Sequence, residues 1–270
     1  MKIIDFHAHV YPEKIALRAT RNVSKYYGLE SSEIAATPAE LIREGAEVGI
    51  TEFLLLPVAM KPGQAREVND FAISLLKDPH FHSFGSVHAA MGEDALIEEA
   101  DYIRANGLLG IKIHPETQCF AIDDERLFPL YDYCQEKEIP FYFHCGQYTN
   151  NYSHPERLRY ILKLFPRLDV VGAHLGGWNV FEEGPEFLKD LNCYTDISSC
   201  MEFVDKDDMV RYIRMFGAER CMFGCDFHFF LPKEVKELFM KLPLTDRERE
   251  LIAHENAEML LEKWSKRAGK

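Results

Sequence analysis

The chain has 270 residues, 47% of them hydrophobic, and its 31 Lys plus Arg against 44 Asp plus Glu leave a formal charge of −13. That is enough apolar material for one substantial core, and so acidic a surface argues against a nucleic-acid or anionic-membrane partner, both of which attract basic patches. No apolar leader follows Met1-Lys2-Ile3-Ile4-Asp5, no window approaches the roughly 18 apolar residues of a membrane span, and the 7 cysteines lack paired zinc-site spacing, which together predict a cytoplasmic protein with reduced cysteines.

Short apolar, β-branched or aromatic runs recur along the chain, each followed by an amphipathic stretch. In order, the predicted strands are 3–6, 51–56, 81–87, 110–113, 140–144, 169–173, 193–198 and 221–223. Strands that alternate with helices imply a parallel sheet covered by helices. Eight such units in a chain of this length predict a closed (β/α)8 TIM barrel, a single domain over residues 1–270. The stretch 11–37 is the main irregularity, an excursion near the barrel mouth whose Tyr26 and Tyr27 either cover that mouth or pack a surface loop. Helix starts are marked by Thr37-Pro38-Ala39-Glu40, by Ser153 with Glu156, and by Thr245 with Glu248. In each, a capping hydroxyl precedes an acidic residue at the third helical position. The last of these opens a helix carrying Leu251, Ile252, Met259 and Leu260 on one face.

Polar residues fall where these strands end. His7 and His9 follow the first strand, and the i, i+2 spacing of an extended chain lets both imidazoles reach one ion. His144 ends Phe141-Tyr142-Phe143, His174 follows Val170-Val171-Gly172-Ala173, and Asp226 follows Phe223-Gly224-Cys225. In a barrel all these C-terminal strand ends face one mouth, the usual place of the chemistry. Histidines plus a carboxylate suit a borderline divalent ion, Zn2+ first and Mn2+ as the alternative. Lys112 and His114 alternate with Ile111 and Ile113 in strand four. Three functional roles stand open for Lys112: a cation for substrate, a partner to Asp226, or a carboxylated ligand between two metals. The structural alternative is a lysine snorkelling to solvent or paired with a carboxylate. His80, His82, His154 and His254 fit structural or exposed roles. Tyr11, Met60, His88, Gln147, Tyr148, Trp178, Phe227 and His228 are candidate pocket residues, and Lys61, Arg66 and Lys112 candidate cations for a substrate carboxylate.

Taken together, Ile4-Asp5-Phe6-His7-Ala8-His9, Gly110-Ile111-Lys112-Ile113-His114-Pro115, His144-Cys145-Gly146, His174-Leu175-Gly176-Gly177, Phe223-Gly224-Cys225-Asp226 and His254-Glu255-Asn256-Ala257 resemble the amidohydrolase superfamily. The likeness is to its amidohydrolase-2 branch of metal-dependent hydrolases and decarboxylases. It implies that His7, His9, His144 and Asp226 hold the metal, with His174 beside it for acid/base work. In two-metal members, His144 and His174 would hold a second ion with a carboxylated lysine on strand four, a place that Lys112 occupies here. The chemistry implied is hydrolysis of an amide, lactone or ester of a small molecule, with Asp226, His174 and Lys112 as catalytic residues. Decarboxylation of an aromatic or unsaturated acid is the alternative, and a non-catalytic binding barrel a further one. The compact length favours hydrolysis, because decarboxylases of the branch look longer. A homodimer is the base-rate expectation for the assembly.

Overall fold

The computed structural model describes residues 1–28 and 33–269. Its strands are β1 (Ile4–Ala8), β2 (Glu52–Leu55), β3 (Phe81–Ser83), β4 (Gly85–Ser86), β5 (Ile111–Ile113), β6 (Phe141–Phe143), β7 (Val170–Gly172), β8 (Tyr194–Asp196) and β9 (Cys221–Met222). They pair in chain order, β1 to β3 and β4 to β9, every pair parallel. Two junctions close the sheet on itself. At the first, β3 and β4 are consecutive pieces of one barrel strand, parted at Phe84, whose N–H donates to Leu55 O at 3.1 Å while that of Gly85 donates to Gly110 O at 2.8 Å. At the second, Phe6 N donates to Phe223 O at 2.9 Å and Asp226 N to His7 O at 2.8 Å, so the last strand meets the first. The fold is a (β/α)8 barrel, and each of the eight predicted runs overlaps one of its strands, β1 extending two residues beyond the first run.

Alternation divides the core into two. Ile4, Phe6, Leu54, Phe84, Tyr142, Val171 and Met222 point into the lumen, and the helix Asn256–Arg267 plugs its base with Leu260, Leu261 and Trp264. The rest of the apolar material, including Ile103, Phe141, Phe143, Ile161 and Phe216, packs between sheet and helices. Trp264 is fully buried, 5.4 Å from the Phe84 ring and 5.9 Å from that of Phe6, and its indole N–H donates to Asp169 Oδ2 at 3.0 Å. A π-helical turn at Leu251–Glu255 precedes this helix, and Ile252 O there accepts from Phe223 N at 2.8 Å. The local change of helical period thus ties the C-terminal run to β9, one residue before the Gly224-Cys225-Asp226 turn.

The capping expectations hold at two of three sites. Thr37 accepts from Glu40 N at 3.1 Å, and Thr245 with Glu248 forms a reciprocal capping box. The third needs correcting: His154, not Ser153, caps the helix Pro155–Leu164, its Nδ1 accepting from Glu156 N at 3.3 Å. Ser153 instead turns inward to donate to Gly146 O. All seven cysteines are free, six of them buried. Among the described residues no helix is long and apolar enough to cross a membrane.

Because the Trp264 ring closes the lumen and carries a buried hydrogen bond, Trp264→Ala is expected to destabilise the barrel by about 3–5 kcal/mol. Urea unfolding followed by circular dichroism measures this loss.

Candidate active site

The C-terminal ends of β1, β5, β6, β7, β8 and β9 converge on one cavity of about 630 Å3. On its floor stand His7, His9, His114, His144, His174, Ser199 and Asp226. Backbone detail aims them. The register of β1 against β2 slips between Asp5 and Ala8, so Phe6 fills the lumen and the adjacent His7 still reaches the floor. His174 (φ 61°) and Asp226 (φ 59°) take left-handed backbone, a conformation that costs about 1–2 kcal/mol for an L-residue and turns each side chain over the mouth. Gly224 allows the close approach of β9 to β1, since a Cβ there would lie 2.8 Å from His7 Cβ.

The ring nitrogens form a connected set. His7 Nε2 lies 3.2 Å from His9 Nε2 and 3.7 Å from Asp226 Oδ1, and His9 Nε2 lies 3.4 Å from that same oxygen. His144 Nδ1 is 3.1 Å from His174 Nε2, and the His144 ring stacks on His114 at 3.9 Å. His7, His174 and Asp226 each present a ligand atom within 4.8 Å of the others. All five residues expected at the metal centre are therefore brought together.

Beneath them lies a carboxylate that the sequence reading missed. Asp196 Oδ2 accepts from His7 Nδ1 at 3.0 Å and from the Tyr142 hydroxyl at 2.6 Å. Its Oδ1 accepts from Ser198 N at 2.9 Å, from the Ser198 hydroxyl and from His174 N at 3.3 Å. Burial alone would push this carboxyl up, but His7, His174 and Ser198 hold it below the usual carboxylate range. The available signal was the alternation of Asp196 with Ser198 in a strand otherwise expected to be apolar.

These partners assign the tautomers. His7 gives its Nδ1 proton to Asp196, so Nε2 presents a lone pair to His9 and Asp226. His174 gives its Nδ1 proton to Ser198 O at 2.9 Å, so Nε2 accepts from His144 Nδ1. His144 Nε2 is left as a buried lone pair with no hydrogen-bond partner among the described residues. Burial drives the His7 pKa down to about 3 and that of His144 well below its ordinary value, so both rings are neutral. Asp226 stays ionised: burial opposes the charge, but His7, His9 and His174 outweigh it, and Ser199 Oγ donates to Oδ2 at 2.5 Å. Neutral imidazole lone pairs around an ionised carboxylate fit a divalent cation.

Other candidates fall in different places. Lys112 is fully buried below the floor, its burial lowering the pKa to about 8. Its ammonium lies 4.9 Å from the Tyr142 ring centroid with no hydrogen-bond partner among the described residues, and it does not line the cavity. Tyr11, Met60, Trp178 and His228 line the cavity, whereas His88, Gln147, Tyr148 and Phe227 do not. His228 is 3% exposed and both its ring nitrogens lack partners among the described residues. Tyr27, from the excursion 11–37, is buried in the cavity wall with its hydroxyl 2.8 Å from His114 Nε2. Its ring meets Trp178 and Phe229 edge-on, at 5.4 and 5.6 Å. Gln118 fixes the His114 loop, its Oε1 accepting from His114 N and its Nε2 donating to Ala59 O and Val87 O.

The family described as Amidohydrolase matches residues 4–263. No curated protein matches the chain in sequence. Among solved structures, the uncharacterized TIM-barrel protein Bb4693 from Bordetella bronchiseptica is 24% identical, with a TM-score of 0.83 over 100% of both chains. The 5-carboxyvanillate decarboxylase LigW from Sphingomonas paucimobilis is 17% identical, with a TM-score of 0.71 over 97% of this chain and 99% of its own. The dihydroxybenzoic acid decarboxylase from Polaromonas sp. JS666, with bound manganese and 2-nitroresorcinol, is 17% identical, with a TM-score of 0.73 over 97% of each chain.

Asp196→Asn keeps the size of the group that fixes the His7 ring and removes its charge. We expect a folded barrel whose affinity for added Mn2+ or Zn2+ falls about 10–100-fold, read by competition with a chelating indicator.

Proposed function

This chain belongs to the amidohydrolase family, and from that premise we propose that it is a metal-dependent decarboxylase of a planar aromatic or unsaturated carboxylic acid. The observation that carries the reading is the floor itself: imidazole lone pairs and one ionised carboxylate meet at the base of a cavity walled by Tyr11, Tyr27, Trp178 and Phe229. Two proteins of similar fold are named as decarboxylases of aromatic acids, and one of them holds manganese. The ground for hydrolysis in chain length falls away, since those matches span 97–99% of the decarboxylase chains.

His7, His9, His144 and Asp226 would hold the ion, with Mn2+ favoured by the manganese-bound relative over the Zn2+ that the ligand types first suggest. A divalent ion bound there supplies positive charge to the substrate's oxygens and to the negative charge that develops as the carboxyl leaves. The rest is the work of the chain. Tyr27, Trp178 and Phe229 hold a flat ring and exclude water. His228, with both ring nitrogens free, offers a hydrogen bond to a polar substituent. The bond to the carboxyl carbon breaks, carbon dioxide departs, and the vacated carbon takes up a proton. We assign the delivery of that proton to His174, which lines the cavity with its Nδ1 anchored on Ser198 O at 2.9 Å. Lys112 acts from below as a buried positive charge near Asp226 and Asp196, with no contact to substrate.

The same floor serves hydrolysis of an amide, lactone or ester through an activated water, so the assay must separate the two. Manganese-loaded protein is offered hydroxybenzoates, lactones and amides, with carbon dioxide and the organic product both measured. We expect carbon dioxide equal to the acid consumed. His174→Asn should lower kcat by about 100-fold or more with metal content unchanged. Ring-opened or cleaved products without carbon dioxide would overturn the reading in favour of hydrolysis.

A further inference from the structure

Two helices flank the mouth, one following β1 and one following β2, and each buries its small residues. The helix Ala16–Tyr26 buries Ala16, Thr20 and Ser24, and the helix Ala65–Leu75 buries Ala65, Asn69 and Ala72. Thr20 is tied down locally, its hydroxyl donating to Ala16 O at 2.9 Å and accepting from Ala36 N at 3.3 Å. A second set of apolar residues of the first helix, beginning at the N-cap Ile15, points elsewhere. Ile15, Ala19, Val23 and Tyr26 recur at helical spacing and line the cavity, with Ile15 38% and Tyr26 37% exposed. Its cations Arg18, Arg21 and Lys25 occupy a third face and do not line it. From the second helix, Val68 and Phe71 line the same cavity, next to Pro57, Val58 and Met60. An apolar helix face left open is unusual unless something covers it.

Two further observations say what does. A cavity that just accepts a benzene ring measures about 150 Å3, so the 630 Å3 here is roughly four times what a single ring needs. Among the described residues, no lysine or arginine lines it. The two cations proposed from the sequence for a substrate carboxylate in this region, Lys61 and Arg66, lie elsewhere. Arg66 pairs with Glu99 at 2.8 Å and lies 3.5 Å over the Tyr102 ring, and Lys61 is exposed outside the cavity. A second anionic group on the substrate would find no cationic side chain, and Glu67 at the rim would repel it.

We propose that the substrate is a mono-anion with an extended apolar body: one anionic head on the histidine floor, and an uncharged apolar extension lying between the helices Ala16–Tyr26 and Ala65–Leu75. This rests on the proposed reading of the floor as the seat of an acid, and it adds the size, charge count and polarity of the remainder. The apolar face of Ile15, Ala19 and Val23 then completes its packing against ligand.

The test is calorimetric binding to manganese-loaded protein, kept separate from turnover. The probes are 2-hydroxybenzoates carrying alkyl chains of increasing length at ring position 4 or 6, with benzene-1,3-dicarboxylate and the uncharged 3-alkylphenols for contrast. For at least one ring position we expect affinity to rise roughly three- to fourfold per methylene over the first few, and the dicarboxylate to bind more weakly than the hexyl acid. Val68→Asp, which puts a charge in the apolar branch, should cancel the gain per methylene while circular dichroism shows an intact fold. Flat or falling affinity with chain length at both positions, or tighter binding of the dicarboxylate, overturns the inference and leaves the decarboxylase reading standing. A chain-length gain for the alkylphenols with no binding by any acid overturns the anionic head and the decarboxylase reading together.

Discussion

The Asp196 carboxylate is the constraint on which the site depends. It is fully buried, and the imidazole of His7, the hydroxyls of Tyr142 and Ser198 and the backbone N–H groups of Ser198 and His174 are all arranged around it. A buried charge persists only when hydrogen bonds replace the water it has lost. Here those bonds also choose the protonation pattern above: the proton on His7 Nδ1 leaves Nε2 bare, and the hold on Ser198 positions the carbonyl that does the same for His174. Barrel closure is part of the same device. Asp226 N donates to His7 O, so the strand pairing that seals the sheet sets His7 and Asp226 side by side.

Much of this was legible in the sequence, for a specific reason. A barrel strand is short and buried on both faces, so its C-terminal end is marked by the first polar residue after an apolar run. His144 after Phe141-Tyr142-Phe143 and Asp226 after Phe223-Gly224-Cys225 are such marks, and both stand on the floor. The same rule hid Asp196, which ends β8 within the predicted run 193–198, follows the polar Thr195 and supports the floor from beneath. It also raised Lys112 too high: two positions before His114 in a short strand, it ends in the packed interior under the floor. Tyr27 could not be placed from spacing, because its position depends on how the helix Ala16–Tyr26 crosses the mouth. The Ser153 cap was misread because a serine that is spatially close to Gly146 O gains more by bonding there, and His154 can supply the cap.

Floor and walls divide the work. The floor is built from strand ends, held in place by sheet hydrogen bonds, and it sets the chemistry on offer. The walls come from helices and loops that contact the barrel through small side chains such as Ala16, Ser24 and Ala72. Their larger residues are free to define what enters, and it is there that substrate choice is written. Neither fold nor family settles that choice, and the decision between decarboxylation and hydrolysis passes from chain length to the chemistry of the cavity.

The central claim is that the lone pairs of His7, His9 and His144 with Asp226 constitute a binding site for one divalent ion. Elemental mass spectrometry on protein purified without chelator or affinity-column nickel counts it directly. The account predicts about one ion per chain, manganese or zinc, retained through dialysis. About two per chain would instead make Lys112 and His174 ligands of a second ion. No metal, with no uptake when Mn2+ or Zn2+ is supplied, would contradict the account.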